Sequence, residues 1–304
     1  MLKEMRIAGL GVACLCGFWL SSDAVGAQGV KPIPDFSGYW ARSIFGQESP
    51  ESGPGPILNL KRRPDGKSDA QQLVGDYNSP ILTPRAAEIV KKHGEQSIAG
   101  IAFPDLSNQC RPMAPPYILR VQEVQLLQQK HQVIILYQQD HQYRRIRLND
   151  SHPKDLQPSW WGDSIGHYEG GTLVVDTVGA KVGPASMVDM FGTPHSEQLH
   201  VVERYRMVSG AEAKAYQDRS EQEYGRPDGP SGDGIFVDFD YTGPGLRVEF
   251  TVEDKVMFKT PWSGAITYRK AARAEGEWEE RVCAENTFEY HEVNFIPQAA
   301  KPDF

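Results

Sequence analysis

Residues 160–177 read WWGDSIGHYEGGTLVVDT, and residues 194–206 read PHSEQLHVVERYR. In both stretches apolar and polar side chains alternate, and a Gly-Gly pair divides the first stretch into two runs. Alternation with a period of two puts successive side chains on opposite faces of a β-strand. These stretches therefore predict strands that carry carboxylates, imidazoles and guanidinium groups next to side chains that belong in a core.

The same pattern continues along the chain and predicts the fold class. Residues 246–252 alternate between apolar side chains and Arg, Glu or Thr, as expected for a strand with one buried face. Short strands joined by polar turns, with few helices, are typical of an antiparallel sheet that curls or closes. We predict a mainly β protein, an antiparallel lipocalin-like β-barrel with an extended N-terminal arm and one or two short helices. The predicted strands cover residues 121–129, 132–138, 142–148, 172–177, 199–207, 235–241, 246–252 and 265–269.

Residues 1–27 are typical of a signal peptide. Lys3 and Arg6 form a basic start, and residues 7–20 form an apolar run that is short for a membrane span. Small residues then predict cleavage before Gln28. We expect a secreted or periplasmic protein whose mature chain has no membrane span. The alternative is an uncleaved amphipathic tail.

The mature chain is predicted to have two parts. Residues 28–82 are rich in Pro, Gly, Ser and Asp and are expected to form an extended arm. Residues 83–304 are expected to form one barrel domain with a polar insertion at 209–234. A helix-forming run at 211–223 lies within this segment, which is either a simple insertion or a lid.

One helix is marked clearly at its start. Thr83 is a good N-cap, and Pro84 suits the first helical position. Residues 85–93 follow as helix formers, and Gly94 is a typical residue just beyond a helix C-terminus. The sequence therefore predicts a helix that ends before Gly94.

The charge of the chain restricts its partners. The formal net charge is −8, and the charged residues are scattered rather than clustered. Such a chain has no general electrostatic attraction to nucleic acid or to anionic membrane surfaces. We expect neither a nucleic-acid partner nor a cofactor.

Two cysteines, Cys110 and Cys283, remain after removal of the signal peptide. An even number in an oxidising compartment predicts a disulfide between them. In the chain-entropy model such a bridge stabilises the fold by roughly 3–5 kcal/mol. The alternative is two buried free thiols.

Strand alternation predicts one buried ion pair. Glu203 shares a strand face with Val201 and Tyr205, and Arg144 shares a face with Ile146. A buried carboxylate costs several kcal/mol unless it is paired or hydrogen-bonded. We therefore predict an Arg144–Glu203 pair inside the barrel, which either only supports the fold or takes part in a site.

Five residues are candidates for acid–base catalysis. Asp176 follows an apolar run and is a further candidate for an inward carboxylate, whereas strand alternation puts His200 opposite Glu203. The assigned roles are Glu203 or Asp176 as base, His200 or His195 as acid, and Arg144 as a stabiliser of negative charge. The two histidines lack helical metal-ligand spacing, so no metal is predicted, and a metal-dependent enzyme stays a third option.

A set of aromatic side chains is the candidate substrate-binding surface. The functional interpretation is an aromatic wall for a hydrophobic or ring-bearing molecule, and the alternative is ordinary core packing. The set consists of Trp160, Trp161, Tyr168, Tyr205 and Trp262.

The motif WxGxSxGx(W/Y)EGxTLVVDT, followed by HSxxLHxxER, resembles a large family of uncharacterised secreted bacterial proteins. The resemblance covers nearly the whole mature chain and implies a β-rich, lipocalin-like barrel, but no particular activity. Tyr168 and Gly171 stand where the family usually has Trp and Asp, and the link at 209–243 is longer than usual. Further matching segments are found at residues 35–40, 82–84, 110–116, 143–146, 152–155, 261–262 and 283–286.

These observations lead to one functional expectation and one alternative. We expect a cofactor-independent enzyme, a lyase, isomerase or hydrolase, that acts on a small hydrophobic or aromatic molecule by acid–base chemistry. The alternative is a lipocalin-like small-molecule binding protein without catalysis.

Overall fold

A computed structural model describes residues 33–42, 46–101, 106, 110–120, 123–225 and 237–271, and the backbone of 289–290 and 293–294. The predicted signal peptide and Cys283 lie outside the described residues, so export and the disulfide stay predictions. No helix in the described part is long and apolar enough to cross a membrane.

The described strands form a closed barrel, which confirms the predicted mainly β, lipocalin-like architecture. Strands are hydrogen-bonded in sequence order, and the barrel closes because β1 pairs with both β2 and β9. A separate two-stranded sheet pairs Glu289–Tyr290 with Val293–Asn294. The barrel strands are β1 Gly38–Ala41, β2 Glu123–Gln129, β3 Gln132–Tyr137, β4 Tyr143–Leu148, β5 Asp163–Glu169, β6 Thr172–Val178, β7 His200–Val208, β8 Gly245–Glu253 and β9 Trp262–Lys270.

The barrel is mainly antiparallel, but one parallel pair of neighbouring strands was not anticipated, which makes the strand pairing mixed. β4 and β5 run parallel, with Ile146 opposite Ser164. Parallel neighbours need a crossover connection and cannot be joined by a tight hairpin. Residues 149–162, which contain Pro153 and Pro158, form that crossover. Every other neighbouring pair in the barrel is antiparallel.

The first strand comes from the segment that was predicted to be an extended arm. Tyr39 pairs with Gln125, and Trp40 is buried. The later part of the segment lies against the outer wall, where Glu48 forms an isolated bridge with Ala265. The segment therefore closes the barrel as well as covering it.

The predicted strand at 235–241 is not a strand in its described part. Val237 makes only an isolated bridge to Ala271. Asp238 then accepts backbone hydrogen bonds from Asp240 and Tyr241 through Oδ1. Aspartate side chains offer the backbone this local alternative to a sheet ladder, which explains the turn.

Helix α1, Pro84–Ile98, begins where it was predicted but ends later. Thr83 Oγ1 accepts a hydrogen bond from the Ala86 backbone N–H, as expected of an N-cap. Gly94 lies inside the helix and packs against Val74. A Cβ at this position would lie 2.8 Å from Val74 Cγ1. The glycine therefore permits close packing and does not end the helix.

Helix α2, Gly210–Tyr224, lies in the predicted insertion and confirms the expected helix there. Ser209 caps its first turn by accepting a hydrogen bond from the Glu212 N–H. Ala213 and Tyr216 are buried, and the Arg247 guanidinium lies 3.5 Å from the centre of the Tyr216 ring. The helix therefore packs on the outer wall of β8.

The barrel interior is filled by its own side chains. Inward positions of β3, β7, β8 and β9 carry large aromatic residues that are almost completely buried. Each such side chain buries about 150–250 Å² and contributes strongly to the core. These interior aromatic residues are Tyr137, Tyr205, Phe250, Trp262 and Tyr268.

The Gly94 contact gives a prediction on stability. Gly94→Ala should lower the free energy of unfolding by about 1–3 kcal/mol, because overpacking against the stiff Val74 side chain outweighs the gain in helix propensity. In a Val74→Ala background the same substitution should cost much less. Urea unfolding of the four chains measures this coupling, and an equal effect of Gly94→Ala in both backgrounds contradicts the packing argument.

Candidate functional site

The predicted Arg144–Glu203 ion pair is confirmed inside the barrel. Arg144 Nη2 and Nη1 each lie 2.9 Å from one of the two carboxylate oxygens of Glu203. The Tyr205 hydroxyl donates to Glu203 Oε1 at 2.7 Å and accepts from Arg144 Nη2 at 3.0 Å. The exposed fractions of the Arg144 and Glu203 side chains are 2% and 0%. The pair is therefore closed off from solvent.

The electrostatics of the pair follow from its burial. Burial lowers the pKa of Arg144, but the Glu203 carboxylate raises it more, so the pKa stays well above its ordinary value. Burial and the neighbouring carboxylate also raise the pKa of the Tyr205 hydroxyl. A charged guanidinium with a two-point carboxylate contact is a strong structural pair. A ligand in solvent cannot reach it in this conformation.

Loss of one partner of this pair should be costly. Glu203→Gln should lower the free energy of unfolding by about 3–5 kcal/mol, because it leaves the Arg144 charge buried without a counter-charge. The double variant Arg144→Met/Glu203→Leu should be more stable than Glu203→Gln, because neither charge remains. Chemical denaturation of the wild type and the two variants measures these stabilities. A Glu203→Gln protein as stable as the wild type would falsify the assignment of Arg144 and Glu203 as a buried ion pair.

Asp176 points outward, so the expectation that it faces the interior was wrong. Leu173, Val175 and Thr177 take the inward positions of β6 and are buried. Strand alternation then turns Asp176 to the outer wall, where its Oδ2 lies 3.0 Å from His200 Nε2. Asp176 and His200 are therefore neighbours, on the opposite side of the wall from the interior pair.

A further histidine joins these two residues. His152 lies on the β4–β5 crossover, with Nε2 3.0 Å from Asp176 Oδ1 and Nδ1 2.6 Å from Asp163 Oδ2. We call Asp163, His152, Asp176 and His200 the outer network. His152 was not predicted to be a site residue, although it lies in residues 152–155, one of the segments that carry the family resemblance.

The outer network is an ionic surface cluster. The hydrogen bond from His200 lowers the pKa of Asp176, and the same bond raises the pKa of His200. On the other side, the Arg147 side chain forms ion pairs with Asp163 and Asp150. These contacts tie the crossover to β5, β6 and β7. None of the four network residues lines a sizeable cavity described below.

A cleft outside the barrel offers room for a ligand. It has a volume of about 530 Å³ and lies between α1, the β6–β7 connection and the β8–β9 turn. Apolar side chains such as Ile89, Met187 and Met257 line it together with several polar ones. The polar lining consists of Arg85, His93, Ser186, His195, Ser196, Glu197 and Gln198.

The walls of the cleft are tied together by two polar side chains. Asp254 accepts hydrogen bonds from the backbone and the hydroxyl of Ser196, at 2.6 and 2.8 Å, and from the Val256 backbone. Thr83 donates through Oγ1 to the Val256 carbonyl and through its backbone to the Met257 carbonyl. The helix, the connection and the turn are therefore fixed relative to one another.

The β6–β7 connection holds its shape through Asp189. Its Oδ1 accepts backbone hydrogen bonds from Phe191 at 2.9 Å and Thr193 at 3.1 Å, and burial raises its pKa to about 6. Gly192 lies against the His93 ring with a φ of +73°, and a Cβ there would collide with the ring. A glycine is required at this point by both conformation and space.

His195 is held as a neutral imidazole at the cleft. Its Nδ1 lies 3.1 Å from the Ser196 carbonyl oxygen, which only accepts, so the proton is on Nδ1 and the lone pair on Nε2. Burial lowers its pKa from the ordinary value. This arrangement suits a proton acceptor rather than the acid that the sequence analysis considered.

A second neutral imidazole, His93, lines the same cleft from α1. Burial lowers its pKa to about 4, so it carries no charge near neutral pH. The sequence did not single out this residue, because it lies on a helix far from the other lining residues in the chain. The apolar residues next to it on α1, such as Ile89, indicated only that this side of the helix packs against other parts of the protein.

The five predicted aromatic residues do not form one wall. Tyr205 and Trp262 are in the barrel interior, and Trp262 packs against Phe250 and Phe258. Trp161 donates to Gln142 and stacks on Tyr143, whereas the Tyr168 hydroxyl accepts from Gln128. Trp160 alone approaches the cleft, from behind Gly183. These residues lie on separate strands and on the crossover, and the motif did not predict this separation.

His195 and His200 have different partners. His195 contacts the Ser196 carbonyl, whereas His200 contacts Asp176. Across the described ranges, no group of three or more His, Cys, Asp or Glu side chains is arranged to hold a metal ion. The geometry therefore gives the two histidines separate roles.

Comparisons with known proteins give no match to a family model, to a curated protein or to a solved structure. The family resemblance drawn from the motif therefore stays a prediction. The function has to be argued from the geometry of the cleft and of the residues that line it.

Proposed function

We propose that the protein is a cofactor-independent enzyme that binds a small, largely apolar molecule in the cleft and transfers a proton with His195. The reaction class is that of a lyase, isomerase or hydrolase. One observation carries the proposal: the Ser196 carbonyl fixes His195 in the tautomer that leaves the Nε2 lone pair unprotonated. Such an imidazole beside a ligand-sized cleft is arranged for general-base catalysis.

The cleft is a better candidate than the other two polar sites. Ligand pockets typically have volumes of about 300–1,000 Å³ and combine apolar walls with a few polar groups. The cleft has a volume in this range, and apolar side chains form part of a lining that is otherwise polar. The Arg144–Glu203 pair is sealed inside a filled barrel, and none of the four outer-network residues lines the cleft.

The proton transfer follows from the placement of His195. Nε2 accepts a proton from a C–H or O–H group of the substrate, or from a water beside the substrate, and the ring becomes an imidazolium. The negative field of the Asp254 carboxylate raises the pKa of His195, although burial outweighs it in the resting protein. Asp254 therefore stabilises the imidazolium until the proton is returned to the product. A positioned general base of this kind contributes about 10²–10⁴-fold to a rate.

The alternative function is small-molecule binding without catalysis. It uses the same cleft, because the interior positions that a lipocalin leaves open to its ligand are occupied by aromatic side chains here. Binding needs the apolar walls but no unprotonated Nε2. Loss of the imidazole therefore separates the two functions.

Secretion belongs to the same proposal. The signal-like residues 1–27 and the cysteines Cys110 and Cys283 are consistent with an exported enzyme. We also propose that the chain belongs to the secreted bacterial family that its central motif resembles. N-terminal sequencing of the exported protein, with Gln28 expected as the first residue, tests the export step.

A nitrobenzisoxazole is a suitable probe of the base, because loss of its ring C–H proton opens the N–O bond and releases a coloured cyanonitrophenolate. The wild type should accelerate this reaction, and His195→Asn should remove about 10²-fold or more of the acceleration. Asn keeps a donor for the Ser196 carbonyl but has no base at the Nε2 position. His167→Asn, on the exposed outer face of β5, is the matched control. Acceleration that survives His195→Asn, or no acceleration by the wild type, contradicts the proposal.

The pH dependence of the same rate is a separate prediction. Burial lowers the pKa of His195, so Nε2 is unprotonated in most molecules above the ordinary histidine value of about 6.5. The rate should be constant from about pH 7 upward and fall only on acidification below about pH 6.5. A rate that still rises between pH 7 and 8 would point to a different base.

A further inference from the structure

Arg85 lines the cleft and makes no ion pair with a described residue. We propose that Arg85 is a specificity-determining residue that binds the carboxylate of a small apolar acid, with the apolar body of the ligand beside His195. The substrate class is thus an organic acid rather than a neutral molecule. This inference rests on the proposed use of the cleft as the substrate site.

Arg85 is an exposed cation without a carboxylate partner. It is exposed on the first turn of α1 and lines the cleft. In the part of the chain that the structure describes, no carboxylate lies within ion-pair distance of its guanidinium. In contrast, Arg147, Arg204 and Arg206 on the barrel wall each contact Asp or Glu side chains.

The position of Arg85 is electrostatically unfavourable in the empty protein. The first turn of α1 contains no acidic residue, so the partial positive charge of the helix start and the guanidinium lie together. A cation in this position interacts unfavourably with the helix dipole. A bound carboxylate offsets both positive charges and so accounts for an arginine at this position.

The other polar groups of the cleft do not supply a positive charge. His93 and His195 both have lowered pKa values because they are buried, so both are neutral near pH 7. Glu197 lies on the exposed rim of the opposite wall and makes no ion pair with Arg85. It weakens the attraction for an anion but does not neutralise the guanidinium by direct contact.

The apolar part of the lining defines the rest of the ligand. Ile89 of α1, Met187 of the β6–β7 connection and Met257 of the β8–β9 turn present flexible hydrocarbon or thioether groups. Methionine adapts to irregular apolar shapes, including aromatic rings. An arylacetate therefore fits this lining, because its ring can contact these apolar side chains and its carboxylate can bind Arg85. Between the ring and the carboxylate it has an acidified C–H group from which a base can remove the proton.

The test compares phenylacetate with its neutral isostere phenylacetamide, by NMR titration of the complete mature protein. Phenylacetate should bind the wild type about fivefold or more tightly than phenylacetamide, as expected for a charge-assisted contact at a partly exposed site. Arg85→Gln should abolish this preference, and Arg85→Lys should retain part of it. Arg145→Gln, which removes an exposed arginine on the outer face of β4, is the matched control and should keep the full preference.

The outcomes separate this inference from the proposed function. Equal affinities in the wild type, or a preference that persists in Arg85→Gln, overturns the role of Arg85. No measurable binding of phenylacetate by the wild type overturns it as well. The nitrobenzisoxazole reaction uses a neutral probe, so its dependence on His195 stands or fails independently. Glu197→Gln should tighten phenylacetate binding, and weaker binding in that variant would show that the rim carboxylate binds the ligand.

Discussion

The buried Arg144–Glu203 ion pair is the constraint on which the rest of the structure depends. The two charges come from β4 and β7, on different parts of a closed barrel, and they are stable only if they meet. A slip of either strand by one residue would turn its charge to the outer wall, so the pair fixes the register. The interior around it is filled by aromatic side chains such as Tyr137 and Tyr205. As a consequence, a ligand has to be accommodated outside the barrel.

The cleft is built from connections that the barrel holds in place. Asp254 at the end of β8 binds the backbone of Ser196, and Thr83 binds the carbonyls of the β8–β9 turn. These contacts fix three elements without any strand entering the cleft. Rigid placement matters for chemistry, because a general base is effective only when it is held within hydrogen-bond reach of its substrate. His195 gains this rigidity from its own contact with the adjacent carbonyl.

Strand alternation in the sequence was sufficient to predict the barrel, the Arg144–Glu203 pair and the opposite placement of His200. It was not sufficient for features that depend on chain connectivity. The parallel pairing of β4 and β5 requires a crossover, which a pattern of alternation cannot show. The outward direction of Asp176 could not be predicted from alternation. The three residues before it are all apolar, so either face of this run could have been the buried one. The cleft combines Arg85, His195 and Met257, and no local pattern connects such distant segments.

The central claim is that the protein holds a neutral His195 with an unprotonated Nε2 at a ligand-sized cleft. NMR of the protein labelled with nitrogen-15 in its histidines measures the protonation of each ring nitrogen directly. The account predicts that at pH 7 His195 carries its proton on Nδ1, and that burial moves its conversion to an imidazolium to a pH lower than that of an ordinary histidine. A proton on Nε2, or an imidazolium at pH 7, would contradict the account, because His195 would then have no lone pair on Nε2 with which to accept a proton.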